Sequence, residues 1–303
     1  MINIGFFGDG PWADNTLKKI SKNNNFSISF IVTRFKKPDS KLEKWSKKLS
    51  VDLISYEDVN SPQAVAKFQK YNADLFVSMS FDQILKKDII LLPKMGFLNC
   101  HAGALPFYRG RNILNWALIN DEKEFGVTVH FIDEGIDTGD IILQKKRVIS
   151  DKDDYSTLLK KAESLCAECL YEAIIKVESG DFERIKQKSI HPKGSYFFKR
   201  KKGDERINWK SSSRDIFNFV RALTDPGPCA QTSHNKKLIK LRKVKIPKIR
   251  NNYRGIPGEV VLKKNNHVFI KTKDSVIKLP LEDSFSTKNQ LLLQSLELGD
   301  LLQ

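Results

Sequence analysis

Short apolar runs alternate with amphipathic stretches over the first half of the chain, and that alternation is the first structural signal. Residues 2–10 (INIGFFGDG) read as an apolar strand entering a glycine-punctuated turn, and residues 15–22 carry helical spacing. The alternation continues with a buried strand over 28–33, a charged helix around 40–49, a short strand over 51–55 and a helix over 61–71. Ser61 and Pro62 suit the N-cap and first turn of that helix. An apolar run of strand length over 74–80, a short helix over 81–93 and a strand over 96–102 follow. Alternating strands and helices imply an α/β fold, a Rossmann-like doubly wound, mostly parallel sheet with helices on both faces.

The pattern then changes. Residues 106–112 (PFYRGRN) form a loop rich in Arg and Gly, 113–121 a helix, and 126–133 (GVTVHFID) an alternating strand that runs into the acidic turn 134–140. Residues 141–149 close this block, and 155–180 repeat apolar side chains at helical spacing up to Gly180, a C-cap. Cys166 and Cys169 fall on the apolar stripe of that helix with no second pair nearby, which assigns them to packing. The polar, basic stretch 191–205 reads as a linker. Residues 213–230 read as one helix stopped by Pro226, Gly227 and Pro228. Short strands over 237–247, 255–264, 266–273 and 275–282 come at intervals that suit a small β-barrel, OB-like in character. The expected division is an N-terminal domain over 1–195 and a smaller C-terminal domain, helix plus β-barrel, over 196–303.

Composition narrows the class. With 40% hydrophobic residues and 19 Phe in 303 residues, the chain can bury a sizeable core, which excludes intrinsic disorder. No apolar run is long enough to span a membrane, the first residues lack a basic leader, and four cysteines are too sparse for a disulfide scaffold. A cytoplasmic protein with no membrane partner is expected. The net charge of +16 is unevenly spread: residues 196–303 hold 23 Lys and Arg against 10 Asp and Glu. Such an excess fits a phosphorylated or polyanionic partner, and equally a general lysine bias over solvated faces.

Ligands of open α/β sheets bind at the carboxyl ends of strands. The glycines at 5, 8 and 10 do not form the dinucleotide fingerprint, and a tight strand-to-helix turn needs glycine in any case. Two later exits carry more chemistry. Asn99 and His101 fall on the same side of the strand 96–102, and the strand 126–133 ends in the carboxylate-dense turn Asp133 to Asp140. If these strands are neighbours, a carboxylate can orient the His101 imidazole while the Asn99 amide donates to a developing oxyanion, a constellation for acyl transfer.

The order of these pieces resembles a known family. Residues 97–144 combine N-x-H (Asn99, His101), a proline-containing loop ending in Tyr108-Arg109-Gly110, and D-x-G-x-D-T-G from Asp133 to Gly139, and so resemble the folate-dependent formyltransferases. The likeness covers most of the chain and weakens after about residue 235. It implies Asn99, His101 and Asp137 as the catalytic trio, N10-formyltetrahydrofolate as formyl donor, a primary amine as acceptor, and no metal. It places the folate against Met79, Ser80, Phe81, Gln83 and Ile84 and against the turn with Asp133 and Gly135.

The loop after His101 bears on the acceptor. Gly103, Tyr108, Arg109, Gly110, Arg111 and Asn112 would line its site, and Gly110-Arg111 followed by Leu114-Asn115-Trp116 is similar to the nucleotide-sugar formyltransferases. The resemblance thus implies formylation of a UDP- or dTDP-linked 4-amino-4-deoxy or 4,6-dideoxy sugar for surface glycan synthesis, with a homodimer suggested by such relatives. Arg109 and Arg111 would pair with the pyrophosphate, or tie the loop down. The basic C-terminal third supports the alternative acceptor, methionyl-tRNA. Third comes glycinamide ribonucleotide, whose smaller enzymes generally lack a C-terminal β-domain. A non-catalytic relative that binds folate or nucleotide is the reading from another class.

Overall fold

The computed structural model describes residues 1–303 apart from 35, 38, 249–253 and 283–285, and divides them into two compact units. The first unit holds residues 1–113, 125–147 and 160–198; the second holds 114–124, 148–159 and 199–303.

The first unit opens with β1 (Ile2–Gly8), α1 (Gly10–Ile20), β2 (Phe26–Thr33), α2 (Ser40–Leu49), β3 (Asp52–Ile54), α3 (Pro62–Lys70), β4 (Leu75–Met79), α4 (Lys87–Ile90) and β5 (Phe97–His101). The chain continues through β6 (Arg109–Gly110), α5 (Ile113–Ile119), β7 (Glu124–Phe131), β8 (Ile141–Val148), α6 (Tyr155–Ser179), α7 (Gln187–Ile190) and β9 (Tyr196–Phe197). One sheet runs in the order β3-β2-β1-β4-β5-β7-β8. Its first five strands are parallel, and β7 pairs antiparallel with β5.

Local chemistry sets these elements. Asp9, Asp39 and Ser61 each turn a side-chain oxygen to a backbone N–H in the first turn of α1, α2 and α3, supplying the acceptor a helix start lacks. The core beneath α3 is aromatic: Phe7 meets Phe30, Phe68, Phe76 and Phe97 at ring-centroid distances of 4.9–5.9 Å. Gly5 is required by this packing, since a Cβ there would stand 2.4 Å from the ring of Phe30. Gly10 has φ +64°, the turn requirement read from the sequence.

The second unit carries α8 (Ser213–Ala222), β10 (Ala230–His234), β11 (Lys237–Leu241), β12 (Val260–Lys264), β13 (His267–Lys271), β14 (Val276–Pro280) and α9 (Thr287–Gln294). Ser212 and Asp215 close a capping box on α8. The strands form two antiparallel sheets, β10-β11 and β12-β13-β14, with an antiparallel bridge from Lys245 to Lys278. Trp209, Ile216, Val220, Ile239, Val268 and Ile277 are among its buried core.

Four local expectations change. The helix expected over 81–93 shrinks to the four residues of α4, because Gln83 ties its loop to Val59 N and Tyr56 O instead. The helix at 213–230 ends at Ala222, four residues before Pro226. The presumed linker contains β9, which pairs with β6. The chain also closes on a helix, α9, whose start Ser286 caps, where only strands were expected.

Candidate active site

β5 and β7 are neighbours, and their antiparallel register sets Asn99 opposite His130 and His101 opposite Thr128. The turn after β7 folds Asp137 back over these strand ends. An Asx arrangement holds it: Asp133 Oδ1 accepts from Gly135 N at 3.1 Å and Thr138 Oγ1 at 2.6 Å. Buried Gln187, on α7, donates from Nε2 to the carbonyls of Asp137 and Gly139, both at 2.8 Å.

Asp137 is the hub. Its Oδ2 accepts from Gly110 N at 2.9 Å and stands 3.6 Å from His101 Nδ1; its Oδ1 stands 3.6 Å from His130 Nε2 and 3.5 Å from Asn99 Nδ2. Burial alone would push this carboxyl up, but the charge of a protonated His101, the hydrogen bond that a protonated His130 donates from Nε2, and the Gly110 N–H outweigh it and hold it well below the usual carboxylate range. The cluster carries a fixed negative charge at its centre.

Carbonyl partners decide which imidazole nitrogens carry hydrogen. His101 Nε2 lies 2.7 Å from Tyr108 O, and His130 Nδ1 lies 2.7 Å from Phe131 O. A carbonyl only accepts, so each of those nitrogens donates. In the neutral rings the lone pair of His101 is therefore on Nδ1, facing Asp137, and that of His130 is on Nε2, where it accepts from Asn99 Nδ2 at 3.2 Å. Ser80, Tyr108, Asn112 and Asp137 all hold left-handed backbone, with φ between +54° and +59°, so several site residues sit in a region that bulky side chains avoid.

The chain has known relatives. Residues 2–174 match the formyl transferase family and residues 199–295 its C-terminal domain. The chain belongs to the formyltransferase family. It is 33% identical to the methionyl-tRNA formyltransferase of Thermodesulfovibrio yellowstonii over 92% of this chain and 90% of that protein. It is 30% identical to that of Prochlorococcus marinus over 97% of each. Among solved structures, an N-formyltransferase from Helicobacter canadensis, in complex with folinic acid and dTDP-3-aminofucose, superposes with TM-score 0.69 at 25% identity, covering 92% and 99% of the two chains. A sugar 3N-formyltransferase solved with dTDP and 5-N-formyltetrahydrofolate gives 0.64 at 26% identity, covering 92% and 97%.

Several side chains of this formyltransferase have defined places beyond the hub. Gly103 lies against His101, and Tyr108 N donates to Ser195 Oγ at 3.0 Å while its ring stacks on Phe197. Arg109 is buried: Nε and Nη2 donate to Gln187 Oε1 at 3.0 and 2.7 Å, and Nη1 to Lys193 O and Tyr196 OH. Arg111 is exposed, with Nη2 on Asp82 O at 3.1 Å, and Asn112 beside it is exposed too. On the loop after β4, Met79 is buried, Ser80, Phe81 and Gln83 are half-buried and Ile84 is exposed, as is Ile136 in the acidic turn. His130 and Gln187 escaped the sequence reading. A signal for His130 existed, since Thr128 and His130 alternate with Val127, Val129 and Phe131 and so share the face of β7 that meets Asn99 and His101.

Proposed function

We propose that this folate-dependent N-formyltransferase moves the formyl group of N10-formyltetrahydrofolate to the primary amine of a nucleotide-linked amino sugar, within a catalytic domain over about residues 1–195. The folate supplies the formyl carbon, and the exposed Ile84 and Ile136 offer apolar surface for its ring beside the backbone of Met79 to Ile84 and of Asp133 and Gly135. The acceptor enters as an ammonium, which is not a nucleophile, so a proton must leave before attack. His101 Nδ1 takes it, because Nε2 is committed to Tyr108 O, and the resulting imidazolium is held against Asp137 Oδ2. Asn99 turns an amide N–H to the oxyanion; the contact it gives up is the long one to Asp137, 3.5 Å, while the 3.2 Å bond to His130 keeps the amide in place. His101 releases that first proton to solvent, takes the second from the adduct's nitrogen, and gives it to the folate nitrogen as the bond from the formyl carbon to N10 breaks and the carbonyl re-forms.

The observation that carries the sugar reading is Arg111. It follows Gly110, whose N–H binds Asp137, its own N–H is fixed on Phe197 O at 2.9 Å, and its guanidinium is exposed, with Nη2 on Asp82 O at 3.1 Å. An exposed planar cation on the residue that follows Gly110 suits a diphosphate linked to the amine-bearing sugar. The two solved relatives crystallised with dTDP or a dTDP-amino sugar support the same acceptor class. The second reading, formylation of methionyl-tRNA, rests on the relatives at 30–33% identity and on the excess of 23 basic over 10 acidic residues in 196–303. A mass-spectrometric endpoint assay with N10-formyltetrahydrofolate, offering UDP- and dTDP-amino sugars in parallel with charged initiator tRNA, separates them. A formyl adduct on a sugar nucleotide is the expected result; an adduct on tRNA alone overturns it.

A further inference from the structure

The face of β7 that carries His130 also carries Gly126 and Thr128, by period-two alternation, and neither has a place in the chemistry above. Thr128 is fully buried and lies opposite His101 in the β5–β7 register. Its hydroxyl meets three partners: Gly103 O at 2.6 Å, Leu105 N at 3.2 Å and Gln144 Nε2 at 2.9 Å. Half-buried Gln144, on β8, reaches Leu105 O at 2.8 Å through the same nitrogen. One proton arrangement satisfies all four contacts. A carbonyl only accepts, so the NH₂ end of the Gln144 amide is the end at Leu105 O. That NH₂ and the Leu105 N–H then take both lone pairs of the Thr128 oxygen, and the hydroxyl hydrogen goes to Gly103 O.

The turn held in this way abuts His101. A Cβ on Gly103 would stand 2.5 Å from both His101 Nε2 and Tyr108 O, so the backbone at 103 lies directly against the bond between them. Gly126 lets the turn approach β7, since a Cβ there would come within 2.6 Å of the Ala104 methyl. Phe107 N donates to Ala104 O at 3.0 Å and ties the turn to the loop that brings Tyr108 O to the ring. We propose that Thr128 and Gln144 are positioning residues for formyl transfer: through Gly103 and Leu105 they seat Tyr108 O on His101 Nε2, and so keep the lone pair of His101 on Nδ1. This role rests on the reading of His101 as the base. Which nitrogen of an imidazole is bare is set by the hydrogen bond that the other one makes. Without its seat the ring gains its second neutral form, with hydrogen on Nδ1, and a ring in that form takes no proton at the nitrogen facing Asp137.

The test uses the full-length protein as wild type, Thr128→Val, Thr128→Ser, Gln144→Leu and His101→Ala. Valine keeps the shape of threonine without the hydroxyl, serine keeps the hydroxyl, and Gln144→Leu, at a half-buried position, serves if Thr128→Val does not fold. With ¹⁵N-labelled histidine, and the His101 signals identified by their loss in His101→Ala, long-range ¹H–¹⁵N correlation spectra show which ring nitrogen carries hydrogen. They are recorded above the ordinary imidazole pKa of about 6.5. Wild type and Thr128→Ser are expected to hold hydrogen on Nε2 alone, Thr128→Val and Gln144→Leu to show a mixture with Nδ1–H. Turnover is measured with the amino sugar nucleotide or charged initiator tRNA that the endpoint assay shows to be formylated. It is expected to fall about 10- to 100-fold in Thr128→Val and Gln144→Leu and to recover in Thr128→Ser, with the KM for N10-formyltetrahydrofolate within about twofold throughout. A His101 tautomer unchanged in both variants overturns the positioning role even where turnover falls, because a merely structural loss does not move that hydrogen. Turnover within about threefold of wild type in both overturns it as well. Failure of the base reading looks different: His101→Ala itself then keeps turnover within about threefold.

Discussion

Asp137→Asn tests the centre of the site while sparing its backbone, because Asn tolerates the left-handed φ of +54° at this position at least as well as Asp. The carboxylate offers acceptors on both sides, Gly110 N and His101 Nδ1 against Oδ2, Asn99 Nδ2 and His130 Nε2 against Oδ1. An amide offers one oxygen. Whichever way it is placed, its NH₂ meets either the Gly110 N–H or the Asn99 NH₂, and a buried donor left unmatched costs about 1–3 kcal/mol. Loss of the charge acts further. The Asp137 carboxyl is depressed in the fold, so its stabilisation is complete above the ordinary carboxylate value of about 4 and is lost as pH falls through the lower folded value. The stability gap between wild type and variant, from urea titrations at several pH values, is therefore expected to be widest near neutrality and to narrow on acidification. Turnover is expected to fall by about 10²- to 10⁴-fold, since the imidazolium loses its counter-charge, with the acceptor KM little changed. Turnover within about threefold of wild type, or a stability gap that widens toward low pH, refutes the reasoning.

Gly103→Ala places a methyl 2.5 Å from both His101 Nε2 and Tyr108 O, across the bond that fixes the tautomer. Displacing the ring by about 1 Å is expected to cost on the order of 10²-fold in kcat, read by single-turnover formylation. Gln187→Leu leaves two turn carbonyls, and Nε and Nη2 of Arg109, without the amide that binds them. Thermal unfolding should show a loss of about 2–5 kcal/mol, with kcat reduced through a looser Asp137 turn. Arg111→Ala should raise the acceptor KM with kcat nearly unchanged; an unaltered KM returns Arg111 to holding the loop against Asp82 O.

What was legible in the sequence follows physical range. Period-two alternation places Asn99 and His101 on one side of β5, and the Asx turn from Asp133 is written in adjacent residues. His130 reaches the hub through the antiparallel register of β5 and β7, a non-local pairing that spacing does not encode. Gln187 sits in a four-residue helix, too short for any periodic pattern, and acts on a turn 50 residues away. The strand–helix alternation of the first unit was readable because each element buries one apolar face. β9 is two residues long and is held by its pairing with β6 rather than by its own pattern, so it read as linker.

Two arginines two positions apart show how one loop divides its work. Arg109 spends Nε, Nη1 and Nη2 on Gln187, Lys193 O and Tyr196 OH, all inside the first unit. Whatever it contributes to acceptor binding it contributes through the shape of the loop. The same Gln187 holds the turn of Asp137 from its other end, so a single buried amide joins the acceptor loop to the turn that carries the charge. Gly110 lies between the arginines and closes the circuit with its N–H on Asp137 Oδ2. Under the proposed function, a displacement of the loop on acceptor binding would reach the carboxylate beside His101 through these bonds. Arg111, the loop's exposed guanidinium, is the group that the proposed function sets against the acceptor's diphosphate, at the residue next to that link.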